Sequence, residues 1–221
     1  MKKVLVFDLD DTLFPEHEFV RSGFQAVANW LEQKYSITNF FAVASNLFKQ
    51  GIRGKVFNLA LEEMGVKCDQ EIITELLQVY REHFPKISLH DDAKCAISYF
   101  QGQKQLAIIT DGYLRVQQNK VQALRIETDF DLILYTDFYG RDCWKPSPIS
   151  YLKVMEWSQA SGSECVYVGD NPSKDFVTAK QLDWLTIQIC RESGEYANVI
   201  ISDCYKADLK IQSLIDLMEI I

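Results

Sequence analysis

Five short apolar runs punctuate the chain: Val4 to Phe7, Leu106 to Ile109, Leu132 to Tyr135, Cys165 to Val168 and Leu185 to Ile189. They are rich in Val, Ile, Leu and Tyr and mostly lack polar alternation, the pattern of strands buried on both faces. Between the last four lie stretches of helical periodicity, Tyr113 to Leu124, Ile149 to Ser158 and Ser173 to Leu182. Strand alternating with helix predicts an α/β fold, a parallel sheet with right-handed crossovers.

The first gap breaks that rhythm. From Glu16 to Phe84 the chain reads as helix almost throughout: Phe19 to Tyr35, Phe40 to Gln50, Lys55 to Met64 and Gln70 to His83. Gly51, Gly54, Gly65 and Pro85 separate these helices. A small helical domain inserted after the first strand is expected over residues 16–84, with an α/β core over 1–15 and 85–221. A helix from Asp92 to Phe100 leads back into the sheet, and Ala207 to Met218 reads as a closing helix.

Composition narrows the function classes. With 48% apolar and 24% charged residues the chain has the balance of a globular protein. A net charge of −8 argues against nucleic acid as a partner, because a phosphate backbone demands a basic face. A small phosphorylated substrate needs only local positive charge. The six cysteines, Cys68, Cys95, Cys143, Cys165, Cys190 and Cys204, are scattered without a CxxC pair. They read as reduced thiols, which points to the cytoplasm. The apolar run after Met1-Lys2-Lys3 is too short for a signal peptide, and no run is long enough to span a membrane. A monomer or homodimer is expected.

In a parallel α/β sheet ligands bind beyond the carboxyl ends of the strands. After the first strand comes Asp8-Leu9-Asp10-Asp11-Thr12. Asp8 and Asp10, two apart, can project to one side, where one carboxylate can attack as a nucleophile and the other can move a proton. An acidic turn would look the same. After the second strand comes Thr110-Asp111-Gly112, whose hydroxyl and backbone N–H groups can hold an anionic oxygen or merely begin a helix. Beyond the third comes Trp144-Lys145-Pro146-Ser147-Pro148, a lysine between restricting prolines. After the fourth comes Gly169-Asp170-Asn171-Pro172-Ser173-Lys174-Asp175, two acids suited to Mg²⁺. Each signal alone is modest. Their order along one edge of the sheet makes coincidence improbable.

These four segments together resemble the motifs of the haloacid dehalogenase (HAD) superfamily: DLDDT at Asp8 to Thr12, Thr110 in IITDG, Lys145 in KPSP, and GDNPSKD at Gly169 to Asp175. The resemblance implies a Rossmann-like, HAD-like parallel core with an inserted α-helical cap of the first type. It implies Asp8 as nucleophile and Mg²⁺ ligand, and Asp10 as general acid/base with its backbone carbonyl on the metal. Thr110 would bind the transferring phosphoryl group and Lys145 would offset charge. Asp170 would ligate Mg²⁺, and Asp175 would ligate it or support the site. Asp111 stands where many relatives have Asn. Its backbone N–H is expected to face the phosphate while its side chain turns away, to cap the next helix. Relatives that displace halide lack the acid at the Asp10 position, so phosphoryl transfer is favoured.

The cap is expected to select the leaving group. Arg21, Lys49, Arg53 and Lys55 could form a cationic lip, although a solvated turn explains them as well. Phe24, Trp30 and Phe41 read as cap core, and His17 as a surface residue near the hinge. The leading reading is a Mg²⁺-dependent phosphatase acting on a small soluble phosphate monoester, a sugar phosphate or nucleotide. A phosphomutase and a non-catalytic binding protein on the same fold are the alternatives.

Overall fold

The computed structural model describes residues 2–67, 69–192, 194, 196, 199 and 201–221. The chain divides into two compact units, one of Met1–Glu16 with Ser88–Ile221 and one of His17–Ile87.

The first unit is built on a six-stranded sheet: β1 (Val4–Phe7), β2 (Gln105–Thr110), β3 (Leu132–Tyr135), β4 (Cys165–Gly169), β5 (Leu185–Ile189) and β6 (Leu209–Ile211). The order is β3-β2-β1-β4-β5-β6 and every pairing is parallel. The strand order reverses between β1 and β4, so the crevice of a doubly wound sheet opens there. Register aligns the ends that matter. Phe7 lies opposite both Ile108 and Val168, and the Asp8 N–H donates to the Val168 carbonyl at 2.8 Å.

The apolar runs form central strands because both of their faces are covered. Val4, Val6, Ala107, Ile109, Cys165 and Tyr167 join one buried cluster with Tyr151 and Val154 of the helix Ile149–Ser158. The alternate residues Leu5, Phe7, Ile108, Val166 and Val168 have no exposed surface either, and the Phe7 ring meets Phe130 edge-on. Burial of such side chains contributes roughly 1.5–3 kcal/mol each.

Helices α1 (Glu16–Tyr35), α2 (Phe40–Lys49), α3 (Val56–Glu63) and α4 (Gln70–Glu82) come after β1 in sequence, and α2, α3, α4 and nearly all of α1 make up the second unit. Its core gathers Phe24, Val27, Leu31, Phe40, Phe57 and Leu76, with Trp30 and Phe41 packed against it. The Asp69 side chain accepts from the Ile72 N–H and so starts α4. Arg53 donates to the Phe48 carbonyl at 2.8 Å and lies over the Phe48 ring, while Arg21, Lys49 and Lys55 are exposed.

Helices α5 (Asp91–Phe100), α6 (Leu114–Leu124), α7 (Ile149–Ser158), α8 (Val177–Gln181) and α9 (Leu217–Ile220) complete the first unit. Two expectations need correction. The helix expected from Ser173 begins only at Val177, because residues 171–175 form a turn in which the Asn171 and Asp175 side chains take up backbone N–H groups. The expected closing helix, Ala207 to Met218, is instead strand β6, a 3₁₀ turn at Leu214–Asp216 and the four-residue α9. The partial alternation of Leu209 and Ile211 is too short to outweigh helical propensity in the sequence, and pairing with β5 decides it. Among the described residues no helix is long and apolar enough to cross a membrane. Cys95, Cys143, Cys165, Cys190 and Cys204 are free thiols, and Cys68 lies outside the described residues.

Candidate active site

The strand ends around the switch point deliver one cluster of side chains. Asp8 follows β1, Thr110 ends β2, and Asp170 follows β4. A cavity of about 370 Å³ opens there, lined by Asp8, Asp10, Asp111, Lys145, Asp170 and Lys174 among others. That volume suits a small molecule.

Lys145 is the centre of the cluster. Its side chain has no exposed surface, and its Nζ lies 2.8 Å from Asp8 Oδ1, 2.8 Å from Asp175 Oδ1 and 2.9 Å from the Tyr167 hydroxyl. The three ammonium donors thus meet these oxygens, with the Ile109 carbonyl a more distant fourth at 3.4 Å. Burial opposes its charge, but the carboxylates of Asp175 and Asp8 hold the ammonium well above the ordinary lysine range. Asp175 is fixed from its other oxygen, which accepts the Asn171 N–H at 2.9 Å. Gly169 is required for this arrangement, since a Cβ there would lie 2.5 Å from Asp175 Oδ2.

Carboxylate oxygens of Asp8, Asp170 and Asp175 come within 4.8 Å of one another, and all three residues are buried. Burial pushes the Asp8 carboxyl up to about 6 from its ordinary 3.8, against the pull of Lys145. Burial, then the charges of Asp175 and Asp8, pushes Asp170 well above its ordinary value. Lys145 neutralises one charge of this set, so the oxygen-rich donors fit a hard divalent cation.

The Asp10 carboxylate leaves that group. Its Oδ1 accepts from Lys120 Nζ at 2.6 Å and its Oδ2 from the Gln117 amide at 2.8 Å. The same amide reaches Thr110 Oγ1 at 2.6 Å. Asp11, at φ 49°, takes the left-handed conformation that Asp tolerates, and its carboxylate accepts the Glu16 N–H at 2.8 Å. Burial and the Asp10 charge push the half-buried Glu16 up to about 7.

Asp111 corrects a further expectation. Its side chain does not cap the next helix. Oδ1 accepts from the Thr136 hydroxyl and the Lys145 N–H, and Oδ2 from Lys174 Nζ at 3.0 Å. Burial would raise this carboxyl, but Lys145 and Lys174 hold it below the ordinary range. Asp137 serves the helix start instead, accepting the Leu114 N–H at 2.9 Å.

The structure therefore gathers Asp8, Asp10, Thr110, Asp111, Lys145, Asp170 and Asp175 at one sheet edge. Sequence reasoning missed Gln117, Lys120 and Lys174. Each is a polar residue on a helix or turn, which in sequence is indistinguishable from a solvated one. Only the buried ends of their side chains single them out, with Gln117 1% and Lys120 3% exposed.

Comparison with known proteins agrees with this geometry. The chain is 30% identical to a glyceraldehyde 3-phosphate phosphatase of Methanocaldococcus jannaschii, over 100% of this chain and 97% of that protein. It is 23% identical to a protein of the same name from Methanopyrus kandleri, over 90% of this chain and 88% of that one. Among solved structures, the HAD-hydrolase YfnB of Bacillus subtilis bound to magnesium superposes with a TM-score of 0.69 at 21% identity, covering 99% of this chain and 98% of that one. A family model described as haloacid dehalogenase-like hydrolase matches residues 2–183. With that match and a full-length relative, the chain belongs to the haloacid dehalogenase-like hydrolases, as an enzyme of phosphatase type.

Proposed function

We propose that this enzyme hydrolyses a small phosphate monoester of the sugar-phosphate class through a phosphorylated Asp8, with Mg²⁺ held by Asp8, Asp170 and the Asp10 backbone carbonyl. The observation that carries the reading is the buried triad of Asp8, Asp170 and Asp175 at the switch point, with buried Lys145 paired to Asp8 and Asp175. With both of its oxygens hydrogen-bonded, Asp175 supports the site from behind. When bound, Mg²⁺ supplies charge neutralisation between the Asp8 carboxylate and the phosphate oxygens.

The rest is the work of the chain's own groups. The Asp8 carboxylate attacks phosphorus and the ester P–O bond breaks, while Asp10 gives its proton to the leaving oxygen. The alcohol departs. Asp10 then takes a proton from water as that water attacks phosphorus, phosphate leaves, and Asp8 is regenerated. Thr110 binds the transferring group through its hydroxyl, and Lys145 offsets charge on Asp8.

In this reading the helical insertion serves as the cap domain, excluding water and selecting the leaving group. Its insertion directly behind the Asp8 loop in sequence supports this. The relatives' names favour glyceraldehyde 3-phosphate as the first substrate to try. Five free thiols among the described residues support a reducing, cytoplasmic setting. The test is phosphate release from a panel of sugar phosphates and nucleotides, with Mg²⁺ and with chelator. Metal-dependent release strongest on three-carbon sugar phosphates is expected. Release unaffected by chelator would contradict the metal assignment, and no release from any ester would contradict the function.

A further inference from the structure

Gln117 lies near the start of α6 with its side chain buried. Its amide nitrogen faces three oxygens: Asp10 Oδ2 at 2.8 Å, Thr110 Oγ1 at 2.6 Å and the Asp111 carbonyl at 2.6 Å. The opposite amide orientation would turn an acceptor toward a carboxylate and a carbonyl, so the nitrogen belongs on this side. The Oε1 atom has no hydrogen-bond partner among the described residues, a cost the fold bears to keep the nitrogen where it is. One turn further, Lys120 Nζ holds the second oxygen of Asp10. Gly112 makes this possible. At φ 130° it adopts a backbone conformation that other residues resist, and a Cβ there would lie 3.1 Å from Gln117 Cδ.

We propose that Gln117 is a positioning residue that fixes the Asp10 carboxylate relative to the Thr110 hydroxyl, with Lys120 steadying the other Asp10 oxygen. The inference rests on the proposed phosphatase reading and deepens it. One amide spans the group that moves the proton and the group that holds the phosphoryl. Proton delivery to the leaving oxygen depends on that separation, and misplacement by about 1 Å can cost on the order of 100-fold in rate.

A purely structural tether would lower turnover of every ester alike. A positioning role gives a leaving-group dependence, because a nitrophenolate leaves without a proton and an alkoxide does not. The experiment compares kcat/KM, which reports the steps up to loss of the leaving group and not the later hydrolysis of phospho-Asp8, for 4-nitrophenyl phosphate and glycerol phosphate in the wild type, Gln117→Leu, Asp10→Asn and the double variant. Gln117→Leu is expected to lose about 100-fold on the alkyl ester and less than about tenfold on the nitrophenyl ester. In the Asp10→Asn background it should cost nothing further on the alkyl ester. Equal loss on both esters, or full additivity with Asp10→Asn, overturns the inference alone. If the wild type turns over glycerol phosphate poorly, the best sugar phosphate of the panel replaces it as the alkyl ester, and a wild type that releases phosphate from no ester overturns the phosphatase reading and this inference with it. Should Gln117→Leu fail to fold, Lys120→Met is read by the same comparison.

Discussion

An ammonium cut off from water keeps its proton only among anions, and Lys145 has Asp8 and Asp175 each at 2.8 Å. Removing that cation strands two buried carboxylates. Lys145→Met should therefore lower stability by about 3–5 kcal/mol and abolish turnover, read by urea unfolding and by phosphate release. An unchanged unfolding midpoint would show the carboxylates to be solvated or protonated without it. Asp8, Thr110, Lys145 and Asp170 were legible in sequence because each sits at or just beyond a strand end or in a proline-bounded turn. Gln117 and Lys120 were not, since helical spacing cannot say which polar residue points inward. Asp111 was half legible. Its place beyond β2 was readable, but the expected helix cap was not found: the side chain binds Thr136, Lys145 and Lys174, partners brought together only by the fold.

At the scale of elements, the C-terminal segment is tied back to the Asp8 loop through one ion pair. Arg191 grips Asp92 at the start of α5 through both carboxylate oxygens and donates to the Thr12 carbonyl at 2.6 Å. Asp92 also accepts the Leu214 N–H at 2.9 Å. Burial would raise the Asp92 carboxyl, but these donors hold it below its ordinary 3.8. A carboxyl depressed in the folded state stabilises above its unfolded value and loses that contribution as pH falls through the folded one. Asp92→Ala should thus cost about 1.5–3 kcal/mol at neutral pH, and the difference from wild type should shrink below pH 3.8. Urea midpoints measured across that range decide it; a difference independent of pH would contradict the role of charge. Sequence pattern found the five strands carried by apolar runs of four or five residues but not β6, which has three residues and takes its conformation from pairing with β5. It also ran α8 too far toward Ser173, because capping residues and loop-forming residues share one alphabet, Asn, Asp and Ser.

At the scale of the whole molecule, a net charge of −8 coexists with a proposed anionic substrate. Local neutralisation at the site resolves this, and a cation at Asp8 and Asp170 should stabilise the fold by relieving their repulsion. Millimolar Mg²⁺ is expected to raise Tm, by an amount equivalent to about 2.7 kcal/mol at a hundredfold excess over Kd, and Asp170→Asn should abolish the rise. Calorimetry checks this, and an equal rise in the variant would place the ion elsewhere. The helical unit was legible as an insertion because its periodicity departs from the strand–helix rhythm around it, whereas its selectivity was not, since Arg53 is engaged with Phe48 and the remaining cations are exposed.

The central claim is that Asp8 carries the phosphoryl group, and mass analysis of acid-quenched enzyme during turnover tests it most directly. The account predicts one phosphate on the peptide containing Asp8, trapped more fully in Asp10→Asn if breakdown of the intermediate limits that variant, and neither phosphate nor turnover in Asp8→Asn. Turnover that persists in Asp8→Asn, or a phosphate found on another residue, would contradict it.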